Sequence, residues 1–144
     1  MGKKRIIKKG DTASPESAAT LALKKKIKRK VARGFVYINS TYNNTIITFT
    51  DETGGVIFSG SAGSMGFSGA KKGTPYAASK VAGLLTERAQ AIGLQDVSVF
   101  VRGIGAGRES AIRSLASSGL VIHMIKDITP IPFNGPKLPK VRRV

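Results

Sequence analysis

Cysteine and tryptophan are absent, histidine occurs once, and acids number only 8 against 24 lysines and arginines in 144 residues. Without cysteine there can be no disulfide, thiolate metal site or cysteine nucleophile. His123 has no second histidine or cysteine to join it as a ligand, and in its apolar stretch it reads as a satisfied core or sheet residue. The acids of the body are scattered: Asp51 and Glu52 in a turn, Glu87 and Glu109 on helices, Asp96 and Asp127 near strand ends. Metal-assisted phosphate cleavage needs converging carboxylates. No enzyme, metal or cofactor is therefore expected. No apolar run reaches about 18 residues, so no transmembrane helix is expected. The first ten residues are basic but lack the apolar stretch of a secretory signal.

What is present is positive charge, +16 in all. A chain this basic repels itself and belongs against a polyanion. The charge is concentrated at the ends. Residues 1–33 carry 12 basic residues and 2 acids, residues 34–136 carry 8 and 6, and residues 137–144 carry 4 and none. The expected organisation is a basic N-terminal extension over 1–33, an α/β RNA-binding domain over 34–129 and a proline-rich basic tail over 130–144.

The N-terminal extension includes Lys24, Lys25, Lys26, Lys28, Arg29, Lys30 and Arg33. Like charges this dense oppose compaction, so a disordered segment is expected. The C-terminal tail holds Lys137, Lys140, Arg142 and Arg143 among prolines that lock φ and remove donors, which predicts an extended chain. Such tails can be no more than solvated charge runs. Two of them flanking a nearly neutral body make a binding role the better reading. An anionic membrane would call for an amphipathic basic helix with bulky apolar residues opposite the charge. The run from 24 to 30 offers mainly Ile27, so nucleic acid is favoured over a membrane.

The body reads as strands and helices in the order β-β-β-α-β-α-β. Residues 35–50 are rich in Val, Ile, Tyr, Phe and Thr with a polar interruption at 39–44, and 56–61 follow a turn at 51–55. Thr74-Pro75 is a helix start, with Thr as N-cap and Pro at the first helical position. That helix runs to about Ile92, with Ala77, Val81, Leu84, Leu85, Ala89 and Ile92 on one face. Residues 97–101 form a strand and 109–118 a second helix, with Ile112, Leu115 and Ala116 inward. Residues 120–128 form a last strand, apolar on both faces, which points to a central position under helices. The sum is an α/β domain, layered α/β/α, with a mixed five-stranded sheet.

Two loops suit an anion. In residues 102–108, Gly103, Gly105 and Gly107 lie between Arg102 and Arg108. The stretch resembles a dinucleotide fingerprint, but Arg108 stands at the third glycine position and no acid lies at the ribose distance. Glycines admit a phosphate to the backbone, the following helix N-terminus presents amides, and the arginines add charge. The alternative is that the glycines serve only a tight turn. Lys71, Lys72, Gly73 and Thr74 precede the first helix with the same logic. Tyr76 could stack on a base, though an exposed tyrosine is as often packing. Asn43 and Asn44 could bond RNA sugars or bases, or simply make a turn.

With these residues in view, the chain resembles the universal small-subunit ribosomal protein eleven family in its bacterial or organellar form, over residues 34–144. The matching segments are Tyr42-Asn43-Asn44-Thr45, Ser61-Ala62-Gly63, residues 72–78, 103–108 and 112–127, and the run from Asp127 through Pro132 into Asn134-Gly135, with Arg142-Arg143-Val144 at the end. The resemblance implies a ribonuclease-H-like fold without the nuclease carboxylates. It implies a place on the platform of the small subunit, where the protein bridges helices of 16S-type rRNA. It also implies a wall of the cleft where messenger RNA exits and the Shine–Dalgarno duplex sits, contacts with small-subunit proteins seven and eighteen, and no homo-oligomer. The expected location is the cytoplasmic ribosome, or an organellar one in a eukaryote. Asn134 joins the RNA-contacting set and is expected to form isoaspartate, because Gly135 does not hinder attack of its own amide nitrogen on the Asn carboxamide. The sequence departs from the family at Phe133, usually His, and at Pro136, often Cys. A nuclease on the same fold and a nucleic-acid chaperone acting through its tails alone are the competing readings.

Overall fold

The computed structural model describes residues 31–137 together with 139 and 140. The N-terminal lysines and arginines at 24–30, and Arg142 and Arg143, lie outside the described residues, as does the expectation of disorder before Val31.

Alternation of apolar residues sets the sheet. In β1 (Arg33–Ser40), Val36, Ile38 and Ser40 point to one face and are buried, while Phe35, Tyr37 and Asn39 point to the other. β2 (Thr45–Asp51) and β3 (Val56–Ser61) follow as antiparallel neighbours. Their connection is closed by Asp51, whose Oδ1 accepts from the Gly55 amide at 2.6 Å and the Thr53 hydroxyl at 2.7 Å. The chain then crosses back, so that β4 (Asp96–Arg102) pairs parallel with β1, and β5 (Val121–Asp127) pairs parallel with β4. The sheet order is β3-β2-β1-β4-β5.

The first crossover is helix α1 (Pro75–Ala91), starting where the Thr74 hydroxyl accepts from the Ala77 amide at 3.3 Å. Ala77, Ala78, Val81, Ala82, Leu85 and Ala89 form its buried face. Four of these six are alanine, which lets the helix lie close against sheet and neighbour. Helix α2 (Gly107–Ser117) makes the second crossover and buries Ala111 and Leu115. The Ser114 hydroxyl donates to the Ser79 carbonyl at 3.0 Å, so the helices lie side by side. They cover the face that presents Val36, Ile38, Ile47, Phe49, Val97, Val99 and Val101, all at most 1% exposed.

The α/β class and the mixed five-stranded sheet are as read from sequence. The layering is simpler. Parallel crossovers share one hand, and both here move in the same direction along the sheet, so both helices fall on one face. Among the described residues the opposite face is uncovered. It carries Phe35 edge-on to Phe100 at 5.6 Å between ring centroids and Tyr37 stacked on Phe100 at 5.1 Å.

The last strand corrects the expectation of a central position. β5 is the sheet edge, with Val121, Met124 and Ile125 exposed. Its apolar run alternates poorly because His123 is bulged: Ile122 pairs with Val97 and Met124 with Ser98. His123 is therefore a satisfied sheet residue but not a core one. Its Nε2 lies 3.0 Å from Asp96 Oδ1, and Arg33 reaches Asp96 Oδ2 at 3.5 Å. The His123 hydrogen bond foremost, with the Arg33 charge, holds the Asp96 carboxyl below its usual range. On the helices, Ala116 is exposed and Leu84 is half-buried rather than inward, while Ile112, half-buried, packs against the core. Helix α2 also starts two residues before the expected 109.

Candidate nucleic-acid interface

Topology gathers the candidate residues. β1, β4 and β5 run parallel, and β3 shares their direction because it is antiparallel to β2. The connections at 41–44, 62–74 and 103–106, and the segment after Asp127, therefore emerge at one end of the sheet. Both helices begin there, with their partial positive ends toward it. In open α/β sheets, ligands bind outside the carboxyl ends of the strands. This rim collects Asn43, Asn44, Lys71, Lys72, Gly73, Thr74, Arg102, Gly103, Gly105, Gly107 and Arg108, and Asn134 follows on the segment that leaves it. Arg33 lies at the opposite end.

The rim loops are packed backbone to backbone. A side chain on Gly73 would overlap the Tyr42 carbonyl, one on Gly103 the Ser40 carbonyl, and one on Gly105 the Thr41 carbonyl. A side chain on Gly107 would overlap the Thr45 hydroxyl and crowd Ala78. The 41–44 turn is thus clasped between the other two loops. These glycines admit protein backbone, which is the tight-turn reading rather than the phosphate one.

The donors of the 102–108 loop are turned inward as well. The Gly105 amide donates to Ser40 O at 3.0 Å and the Gly103 amide to the Thr129 hydroxyl at 3.1 Å. Arg108 donates to Gly103 O at 2.8 Å and to Asp127 Oδ2 at 2.5 Å. Asp127 Oδ1 accepts from both the amide and the hydroxyl of Thr129, at 2.8 and 2.6 Å. One knot ties the loop to the departure of the C-terminal segment. Glu109 adds a negative charge at the start of α2. The expected phosphate cradle is thus occupied by the protein's own groups, and Arg102, exposed at the end of β4, is the cation this loop presents outward.

The second loop divides similarly. The Thr74 hydroxyl donates to Lys71 O at 2.7 Å and accepts from Ala77 N, so it is fully used as a cap. Lys71 is exposed and Lys72 half-exposed. In the 41–44 turn, Asn44 N donates to the Thr41 hydroxyl at 3.1 Å, and Thr41 N to Asn44 O at 2.9 Å. Asn44 thus builds the turn, although its side-chain Oδ1 is shielded and lacks a partner. Asn43 is exposed. Beyond Thr129 the described chain has no helix or strand, and Asn134, Lys137 and Lys140 are exposed along it. The outward set is Asn43, Lys71, Lys72, Arg102, Asn134, Lys137 and Lys140.

Sequence reasoning passed over Asp127 as a site residue. The signal was present, since an Asp two residues before a Thr is a local turn former. The Thr129 hydroxyl first, then Arg108 and the Thr129 amide, hold the Asp127 carboxyl far below the usual carboxylate range. A depressed pKa means that Asp127 stabilises the fold fully above about pH 4, its unfolded value, and that the contribution is lost as pH falls toward the folded value. Asp127→Asn should therefore melt below the wild type at pH 7, with the gap closing below about pH 4. A gap that stayed constant down to pH 2 would remove the carboxylate from the knot. Thermal melts across that range provide the comparison.

Among the described residues, no group of three or more His, Asp or Glu could hold a metal ion, and no helix is long and apolar enough to cross a membrane. A family model described as "Ribosomal protein S11" matches residues 34–143. The chain is also similar to the small ribosomal subunit protein uS11 of Thermosipho africanus, with 53% identity over 122 residues, covering 85% of this chain and 94% of that one.

Proposed function

The chain belongs to the ribosomal protein S11 family, and from that premise we propose that it is a structural, non-catalytic constituent of the small ribosomal subunit that binds 16S-type rRNA. The carrying observation is the single rim that presents Lys71, Lys72 and Arg102 beside the start of the basic C-terminal segment. Cosedimentation tests it: the protein should migrate with small subunits from cell extract at high salt. Release into the top fractions at modest salt would favour a free nucleic-acid chaperone.

The finer placement is on the platform, bridging rRNA helices and forming a wall of the messenger exit cleft. The geometry supports bridging. The N-terminal extension joins at the start of β1, the C-terminal segment leaves at the rim, and eight residues of strand separate the two ends by roughly 26 Å. The two basic segments are thus anchored far enough apart to meet different RNA elements. Contacts with small-subunit proteins seven and eighteen complete the proposal. The β5 edge supports a protein neighbour, because it shows apolar side chains and unpaired ladder groups in an otherwise basic molecule. The ribosome is the site of action, cytoplasmic in a bacterium.

Isoaspartate at Asn134 belongs to the same proposal. Asn134 is exposed with φ 53°, and Gly135 follows it. Tryptic peptides from assembled subunits, fragmented to separate aspartate isomers, should show a β-linked residue at 134. Unmodified asparagine there would refute it.

A further inference from the structure

Basic residues account for the electrostatics of the rim, yet two of its exposed bulky side chains are aromatic. Tyr42 is 74% exposed in the 41–44 turn, and Tyr76 is 63% exposed at the start of α1. The loops carrying them touch where Gly73 packs on the Tyr42 carbonyl. A ring left this open gains little from its own fold, since burial is what stabilises an aromatic side chain. The Tyr76 hydroxyl makes no hydrogen bond among the described residues.

The ring is nonetheless held in place. Phe67 meets Tyr76 edge to face at 6.1 Å between centroids, and Lys80, one helical turn along, places its ammonium 5.6 Å from the ring centre. Beside the ring is an open groove of ≈ 430 Å³. Met65 and Leu84 give it apolar walls, and Gly83 leaves a gap in the helix surface. Glu87 lines it too. A carboxylate repels a phosphate but accepts a hydrogen bond from an exocyclic amine. Lys80 supplies the charge that a phosphate flanking a seated base would meet.

We propose that the groove beside Tyr76 seats an unpaired nucleobase, stacked on the Tyr76 ring, so that the rim selects looped or single-stranded RNA over regular duplex. The site rests on the RNA-binding function proposed above and adds the class of RNA recognised. A paired base is stacked within its own helix and offers no face to the ring. An unpaired base does, and RNA-binding proteins read such bases by aromatic stacking.

The test uses the full chain with two probes, a mixed-sequence single-stranded RNA dodecamer and its blunt duplex, at salt high enough to suppress the tails. Tyr76→Leu should weaken single-strand binding by roughly 5- to 100-fold, the range for loss of one base–aromatic stack. Duplex binding should stay within about twofold, and Tyr76→Phe should retain single-strand affinity because it keeps the ring. The absence of tryptophan gives a direct readout, since emission comes from three tyrosines alone. Single-stranded RNA should quench the component that Tyr76→Phe removes. Circular dichroism confirms folding of both variants. Equal losses on both probes, or no loss with Tyr76→Leu, would overturn the stacking site while leaving RNA binding intact. Failure of the wild type to bind either probe at any salt would overturn RNA binding itself.

Discussion

Gly103→Ala should lower the unfolding free energy by about 2–4 kcal/mol, two penalties acting together. Gly103 has φ 95°, a region in which a Cβ is strained, at about 1 kcal/mol or more. The new Cβ would also overlap the carbonyl of Ser40. Ser40 ends β1, the middle strand of the sheet, so relief requires shifting β1 against β4 or breaking the Gly105–Ser40 hydrogen bond. For a domain of this size the melting temperature should fall by roughly 8–20 °C. Gly54→Ala is the control that separates the penalties. Gly54 has φ 86°, but an added methyl group there would meet nothing within 4 Å, so it isolates the backbone strain. Urea unfolding of the two variants measures the overlap as their difference, and equal losses would show that the loop is not clasped as described. Because Gly103 also binds Thr129 and Arg108, the destabilised variant should lose order in the C-terminal segment first.

What was legible in the sequence was local. Thr74-Pro75 marked the start of α1 because a cap and a fixed φ act within one turn, and the Val, Ile, Tyr, Phe and Thr content of residues 35–50 marked strands because such side chains fit a pleated, half-buried surface. In the sequence, the glycines at 103, 105 and 107 read first as a phosphate site, with a tight turn as the alternative, and the structure shows the tight turn. Their loop's inward-facing donors were not legible, because Asp127 and Thr129 engage it from 19 or more residues away. The β5 run misled for a related reason. Apolar residues on both faces suit a central strand, but strand order is a property of the whole sheet, and among the described residues no further strand follows to cover the edge. The rim itself was invisible as a unit. Each loop was seen separately, and only the shared direction of β1, β3, β4 and β5 brings them together.

Deleting residues 1–30 should remove a large share of the salt sensitivity of RNA binding with little effect on the fold. The segment carries 11 of the 24 basic residues. The cut spares Val31, which packs on the core and donates to Ile92 O, and Arg33, which pairs with Asp96. The melting temperature should therefore change by no more than a few degrees. Each phosphate contact on single-stranded RNA contributes about −0.7 to the slope of log K against log salt. If half of the segment's cations meet phosphates, the slope should flatten by about 4 units. Between 50 and 200 mM salt that difference amounts to roughly 200- to 300-fold in affinity. Titrations of full-length and truncated protein over this range give both slopes. An unchanged slope would transfer the electrostatics to Lys71, Lys72, Arg102 and the C-terminal lysines. The expected curves instead converge as salt rises, because counterion release fades while hydrogen bonds and stacking do not. Affinity that survives at convergence would then belong to the rim, where Asn43 and the open tyrosines are proposed to make contacts that salt does not screen.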